Sequence, residues 1–165
     1  DQTVRDYLRR IKRKTAILIS ASCELGAISS GADEKTIKHL KRFGYYVGMS
    51  FQIIDDILDF TSTEEELGKP AGGDLLQGNI TLPVIYSKND PAIYPLLKRV
   101  FDGDIEEKDM ELLLKEIRQS EGIKRAKQVS NMYLQKALHE VKQLPSNSAK
   151  KSLQNVALFM SKRNF

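Results

Sequence analysis

Apolar residues recur along the chain at three- and four-residue intervals, the spacing that lines up one face of an α-helix. Over about residues 3–29 the stripe reads Val4, Leu8, Ile11, Thr15, Leu18, Ser22 and Leu25, which predicts one long amphipathic helix. Gly31 closes it, and Asp33 is placed to cap the next. That second helix runs to about Phe60, with Ile37, Leu40, Phe43, Val47, Phe51, Ile54 and Leu58 on one stripe. Gly44 and Gly48 stand four apart on its flank, where a missing side chain lets another helix or a ligand come close. A glycine-rich loop, GKPAGGD, follows from Gly68 to Asp74. Helices are then predicted at about 81–88, 91–101, 105–119, 121–143 and 147–162. The breaks fall at Asn89-Asp90-Pro91, Asp102-Gly103, Glu121-Gly122 and Pro145. With no strand pattern, internal repeat or low-complexity segment, the expected fold class is all-α, a helical bundle.

Composition narrows the class without naming a function. The chain has 165 residues, 41% hydrophobic and 29% charged, which suits one soluble globular domain or a large piece of one. Lys plus Arg number 26 against 22 Asp plus Glu. The positive charges are scattered among acidic ones, so the bias does not point to nucleic acid and suits a small anionic substrate equally well. The single Cys23 excludes an intrachain disulfide and fits a reducing cytoplasm, and with only two His a His/Cys zinc site is not expected. No apolar run approaches a membrane span. The chain opens on Asp1 rather than Met and enters a helical pattern at once, so an absent N-terminal part is expected.

The candidate chemistry sits on the second predicted helix. Laid out at about 100° per residue, Gly48, Gln52, Asp55 and Asp59 form a polar strip beside the apolar stripe, with Asp56 just past it. Carboxylates there should face a crevice, and an i, i+4 pair can converge on a hard cation. Magnesium prefers oxygen ligands and bridges one or two carboxylates to substrate phosphates, so a phosphate-dependent site is expected. The competing reading is a solvated acidic helix end; an EF-hand lacks its loop of alternating acids. On the first helix, Lys14 at the edge of the stripe either snorkels to water or meets an anion, while Thr15 could simply bond back to its own helix. Lys69 in GKPAGGD offers a point charge among glycines whose amides could approach phosphate, or it belongs to an ordinary surface loop. Asp74 and Asn79 could be site-edge groups, although turn or cap residues is the plainer reading of both. His39 and His139 read as exposed, and Cys23 as a small buried hydrophobe.

These residues resemble the trans-polyprenyl diphosphate synthase family, whose C-terminal half the chain matches along essentially its whole length. YLRRIKRKTAILISASCELGA looks like the helix bearing the family's Lys-Thr pair, here Lys14-Thr15. GMSFQIIDDILDFTSTEEELGKPAGGDLLQGNITLP looks like its second aspartate-rich motif and lysine loop. Within the family the chain looks closest to the larger, catalytic component of two-component bacterial hexaprenyl or heptaprenyl diphosphate synthases. The resemblance implies the C-terminal portion of an isoprenoid synthase helical bundle. It implies condensation of an allylic prenyl diphosphate with isopentenyl diphosphate into a medium-chain all-trans product for the menaquinone side chain. Asp55, Asp56 and Asp59 would hold Mg2+, and Lys14, Thr15, Gln52 and Lys69 would contact the allylic diphosphate. Lys14, Asp55 and Asp56 are the catalytic candidates. The implied setting is cytoplasmic, as a dimer, including a heterodimer with a small regulatory component, with product passed to the membrane.

Two departures follow from the same comparison. The first aspartate-rich motif and the upstream basic residues for isopentenyl diphosphate are absent, so the 165 residues alone should be inactive. Asn79 also stands where many relatives carry a further lysine. Lys162-Arg163 could close over a diphosphate, although a solvated terminus is the plainer reading. A shorter-chain geranylgeranyl or farnesyl synthase and a non-catalytic helical subunit are the rival functions. The subunit has no reason to keep Lys14, Gln52, the three aspartates and Lys69 together. A terpene cyclase is weaker still, lacking the Lys-Thr pair.

Overall fold

A computed structural model describes residues 2–63, 65, 68 and 70–161, and every regular element among them is helical. Helix α1 (Val4–Ile11) passes through a π-helical segment, Lys12–Ala16, into α2 (Ile17–Ser29). The long α3 (Glu34–Thr61) follows, then a single turn, α4 (Gly73–Leu76), and α5 (Leu82–Ser87). The remainder is α6 (Tyr94–Asp102), α7 (Glu107–Gln119), α8 (Glu121–Lys142) and α9 (Ser148–Ser161). Predicted and observed ends agree to within about three residues, the scatter expected of helix boundaries. Among the elements described, only α4 had no forerunner in the apolar pattern.

Local chemistry explains the boundaries. Gly31 takes φ +68° after α2, and Ala32 N–H then reaches back to the Ala27 carbonyl at 3.1 Å, a left-handed helix stop. Asp33 caps α3 as expected, its carboxylate accepting from Thr36 N–H at 2.8 Å. Asn147 does the same for α9 through Lys150 N–H at 2.9 Å. Pro83 and Pro95 stand in the first turns of α5 and α6, where a missing N–H costs nothing.

The π-helical segment corrects the reading of the first helix. Its buried positions are Tyr7 and Ile11, then Ala16, Ser20 and Ala27. The step from Ile11 to Ala16 is five residues where an α-helix would use four. A π turn accommodates one extra residue, so everything after it is rotated relative to a regular helix. The predicted stripe therefore holds up to Ile11 and slips afterwards, leaving Leu18 70% and Leu25 62% exposed.

The described chain divides into two compact units, residues 2–7 with 55–128, and residues 8–54 with 129–161. In the second of these, Phe43, Val47, Leu134, Ala137, Val141, Leu144 and Ala157 form the core. Gly44 and Gly48 serve helix packing. A Cβ at Gly44 would lie 2.7 Å from the Ile19 carbonyl oxygen, and one at Gly48 would lie 2.7 Å from Ala16 Cα. Cys23, half-buried, touches that same glycine surface, and burial pushes its thiol pKa up. Buried Ser50 and Ser130 pair across α3 and α8 at 2.9 Å. His39 is not the exposed residue expected: it is 17% exposed, with Nδ1 2.7 Å from Glu140 Oε2. An acid projecting from α8 had no signature in the residues around His39. His139 is exposed, as read.

In the other unit, Phe60, Leu75, Leu82, Ile93, Leu97, Leu113 and Ile117 are almost wholly buried. Arg118 Nε donates to the Phe60 carbonyl, and Arg99 pairs with Asp109. Gly122 opens α8 because a Cβ there would fall 2.4 Å from the Pro83 carbonyl oxygen of α5.

Candidate active site

Of the candidates on the first helix, Thr15 and Lys14 lie within the π-helical segment, which turns successive side chains out of α-helical register. Thr15 Oγ1 donates to Gln52 Oε1 at 2.6 Å. The alternative of a hydroxyl bonded back to its own helix gives way to a contact 37 residues away. Gln52 is 3% exposed, so its amide is fixed by packing as well as by this bond. Two features allow the approach: Gly48, one turn before Gln52, and Ala16, one residue after Thr15, where the two backbones nearly touch. Lys14 is exposed and forms no ion pair among the described residues, so its ammonium remains open to an anion.

The aspartates do not share one environment. Asp55 is exposed, whereas Asp56 and Asp59 are 3% and 1% exposed. Asp55 thus reaches the surface of this chain, while its two neighbours on the motif are enclosed. From Asp56 to Phe60 every residue of α3 is buried, so the helix is enclosed nearly all round. Buried carboxylates need donors. Tyr7 Oη donates to Asp56 Oδ2 at 2.6 Å, and the Asp74 backbone N–H donates to Asp59 Oδ2 at 3.2 Å.

The described part of the glycine-rich loop also packs against the end of α3. Gly72, at φ +71°, donates its N–H to the Asp59 carbonyl at 2.8 Å. A Cβ at Gly72 would fall 2.6 Å from Leu114 Cδ2 and 2.9 Å from Met110 Cε. These amides grip the end of α3. Asp74 opens α4, and Asn79 N–H bonds to its carbonyl at 2.8 Å, the turn role expected of both. Lys69 and Lys162-Arg163 lie outside the described residues.

Among the described residues no three Asp, Glu, His or Cys side chains form a group that could hold a metal by themselves. The donor set still suits magnesium, which takes one or two carboxylates and completes its shell with water and substrate phosphate. Asp55, Asp56 and Asp59 offer oxygen donors only, within two turns of one helix. Sequence reasoning missed Tyr7. Its one signal was a phenol three residues after Val4 and four before Ile11, since a buried Tyr hydroxyl usually needs a partner.

Residues 1–117 match the family model described as polyprenyl synthetase. The chain belongs to the polyprenyl synthetase family. It is 56% identical, over all 165 residues, to heptaprenyl diphosphate synthase component 2 of Bacillus subtilis (strain 168), and covers 47% of that protein. The heptaprenyl diphosphate synthase of Staphylococcus aureus superposes with a TM-score of 0.91 at 47% identity, covering 100% of this chain and 52% of that one. A polyprenyl synthase from Caulobacter crescentus CB15, solved with calcium and isoprenyl diphosphate, gives 0.90 at 30% identity, covering 99% and 51%. The chain spans about half the length of the relatives it matches. As a polyprenyl synthetase it has the all-α architecture of these solved relatives.

Proposed function

We propose that this chain is the C-terminal part of a single polyprenyl synthase domain. The whole protein would condense an allylic prenyl diphosphate with isopentenyl diphosphate into a hepta- or hexaprenyl diphosphate for a menaquinone side chain. The observation that carries this reading is the Thr15–Gln52 hydrogen bond beside exposed Lys14, in a chain 56% identical to component 2 of a heptaprenyl diphosphate synthase. Two uncharged side chains from separate helices are pre-set there, as polar groups must be when they orient a diphosphate.

In this reading Lys14, Thr15, Gln52 and Lys69 bind the allylic diphosphate, and Asp55, Asp56 and Asp59 hold magnesium. Bound magnesium neutralises charge on the departing diphosphate. Lys14 adds a point charge on the same group, and Gln52 is oriented by donation from Thr15. The protein works in the cytoplasm as a dimer, with a small regulatory component as its partner, and passes its product to the membrane. No helix among the described residues is long and apolar enough to cross a membrane.

The test supplies the full-length protein and its small component with an allylic prenyl diphosphate and labelled isopentenyl diphosphate. Label should enter a product of six or seven isoprene units only when magnesium is present. Products of three or four units would replace this reading with the shorter-chain one. Diphosphate binding with no incorporation under any condition would identify a non-catalytic helical subunit.

A further inference from the structure

Asp56 is an unusual magnesium candidate, because its carboxylate is buried and already engaged. Tyr7 reaches it from 49 residues away in sequence, with its hydroxyl 2.6 Å from Oδ2 and its ring 0% exposed. A short bond between a phenol and a carboxylate, closed off from water, holds both groups far more firmly than an exposed pair would. Asp55, next to it, is exposed. Adjacent acids on one helix thus differ in burial: Asp55 reaches the surface, and Asp56 is enclosed with Tyr7.

We propose that Tyr7 is a positioning residue for the metal site, fixing the rotamer of Asp56 so that its carboxylate meets the cation in one orientation. The inference rests on the assignment of the aspartates to magnesium. In that role Tyr7 acts through Asp56 and not on the cation itself. Its hydroxyl spends its single proton on Oδ2, so the side chain of Asp56 cannot rotate without breaking that bond. Metal sites commonly depend on such outer partners, whose loss weakens binding by roughly 10- to 100-fold. The surrounding structure supports a positional role, since the next acid, Asp59, is likewise held by a donor, the Asp74 amide.

The experiment uses the full-length protein, inorganic diphosphate and Mn2+ as the probe, with bound and free Mn2+ counted by electron paramagnetic resonance. Tyr7→Phe should weaken Mn2+ binding about tenfold or more, while a circular-dichroism melt shows a folded protein. Asp56→Asn should weaken it as well, and Tyr7→Phe added to Asp56→Asn should cause no further loss, because both act through one carboxylate. That last comparison stands even if Tyr7→Phe alone folds poorly. Wild-type Mn2+ affinity in folded Tyr7→Phe, or fully additive losses in the double variant, would overturn the proposal. Asp55→Ala separates this from the parent reading: if it leaves Mn2+ binding intact, the aspartates are not the metal site. If it abolishes binding while Tyr7→Phe has no effect, only the role of Tyr7 falls.

Discussion

Helix α3 is built by opposite means at its two ends. Along Gly44, Gly48 and Ser50 it meets its neighbours through small side chains, close enough that a Cβ at Gly48 would strike the Ala16 backbone. From Asp56 to Phe60 it is enclosed on nearly all sides and carries two buried carboxylates, each held by a donor from elsewhere in the chain. The first stretch gains its fit by leaving atoms out. The second stretch keeps costly groups and supplies each with a partner. Removing bulk is a structural solution that any helix pair can use. Burying acids makes sense when the acids have work to do, because two apolar residues would pack there at lower cost.

The largest effect that would sharpen this contrast is Asp55→Ala. In the full-length protein turnover should fall about a thousandfold or more, as when charge stabilisation is removed from a reacting site. The melting temperature should stay close to wild type, because Asp55 is exposed. Normal turnover in a steady-state assay would remove the aspartates from the chemistry. Gly48→Ala comes next: the added methyl meets backbone at 2.7 Å, so the helices must separate, at about 2–3 kcal/mol by urea denaturation. A neutral result would mean that the small-residue stretch is looser than its geometry implies. Ser130→Ala leaves the buried Ser50 hydroxyl short of a partner and should cost about 1 kcal/mol.

The smallest effect concerns the start of α3 and is read from pH. Hydrogen bonding from the Thr36 backbone, more than any other cause, holds the Asp33 carboxyl below its usual range. A group lowered in the folded state contributes stability that is complete above its unfolded pKa. That contribution is lost as pH falls through the folded value, in the window below about 4. Asp33→Asn keeps a capping oxygen and should flatten that part of the stability profile, leaving neutral-pH stability nearly unchanged.

The same contrast explains what could be read without coordinates. Gly44 and Gly48 announced the close approach of a helix or a ligand, and the structure places the helix of Ala16 and Ile19 there. The helix ends were legible too, since Gly31, Asp33, Pro83 and Pro95 act on their own immediate neighbours. Gln52 and the aspartates were picked out as polar groups beside an apolar stripe, and Thr15 and Lys14 as odd residues at the centre and edge of another; the structure joins Thr15 to Gln52. The partners of the buried acids were not legible. Tyr7 and Asp74 act across 49 and 15 residues, and nothing in their local sequence says where their donors point. The π-helical segment was hidden for another reason: one extra residue in an apolar repeat reads as a minor irregularity, although it rotates all of α2.

That extra residue makes the stretch from Lys12 to Ala16 a place where solubility and growth should part company in a deletion scan. Removing one residue there would let the segment relax into ordinary α-helix, bringing Ala16 four places after Ile11 and keeping the buried face continuous. The shortened protein should fold, express and pass any selection for solubility. It would have lost the surplus that points Lys14 and Thr15 away from the regular lattice of the helix. A library scored only for folded product would count such variants as harmless, and one scored for isoprenoid-dependent growth would discard them.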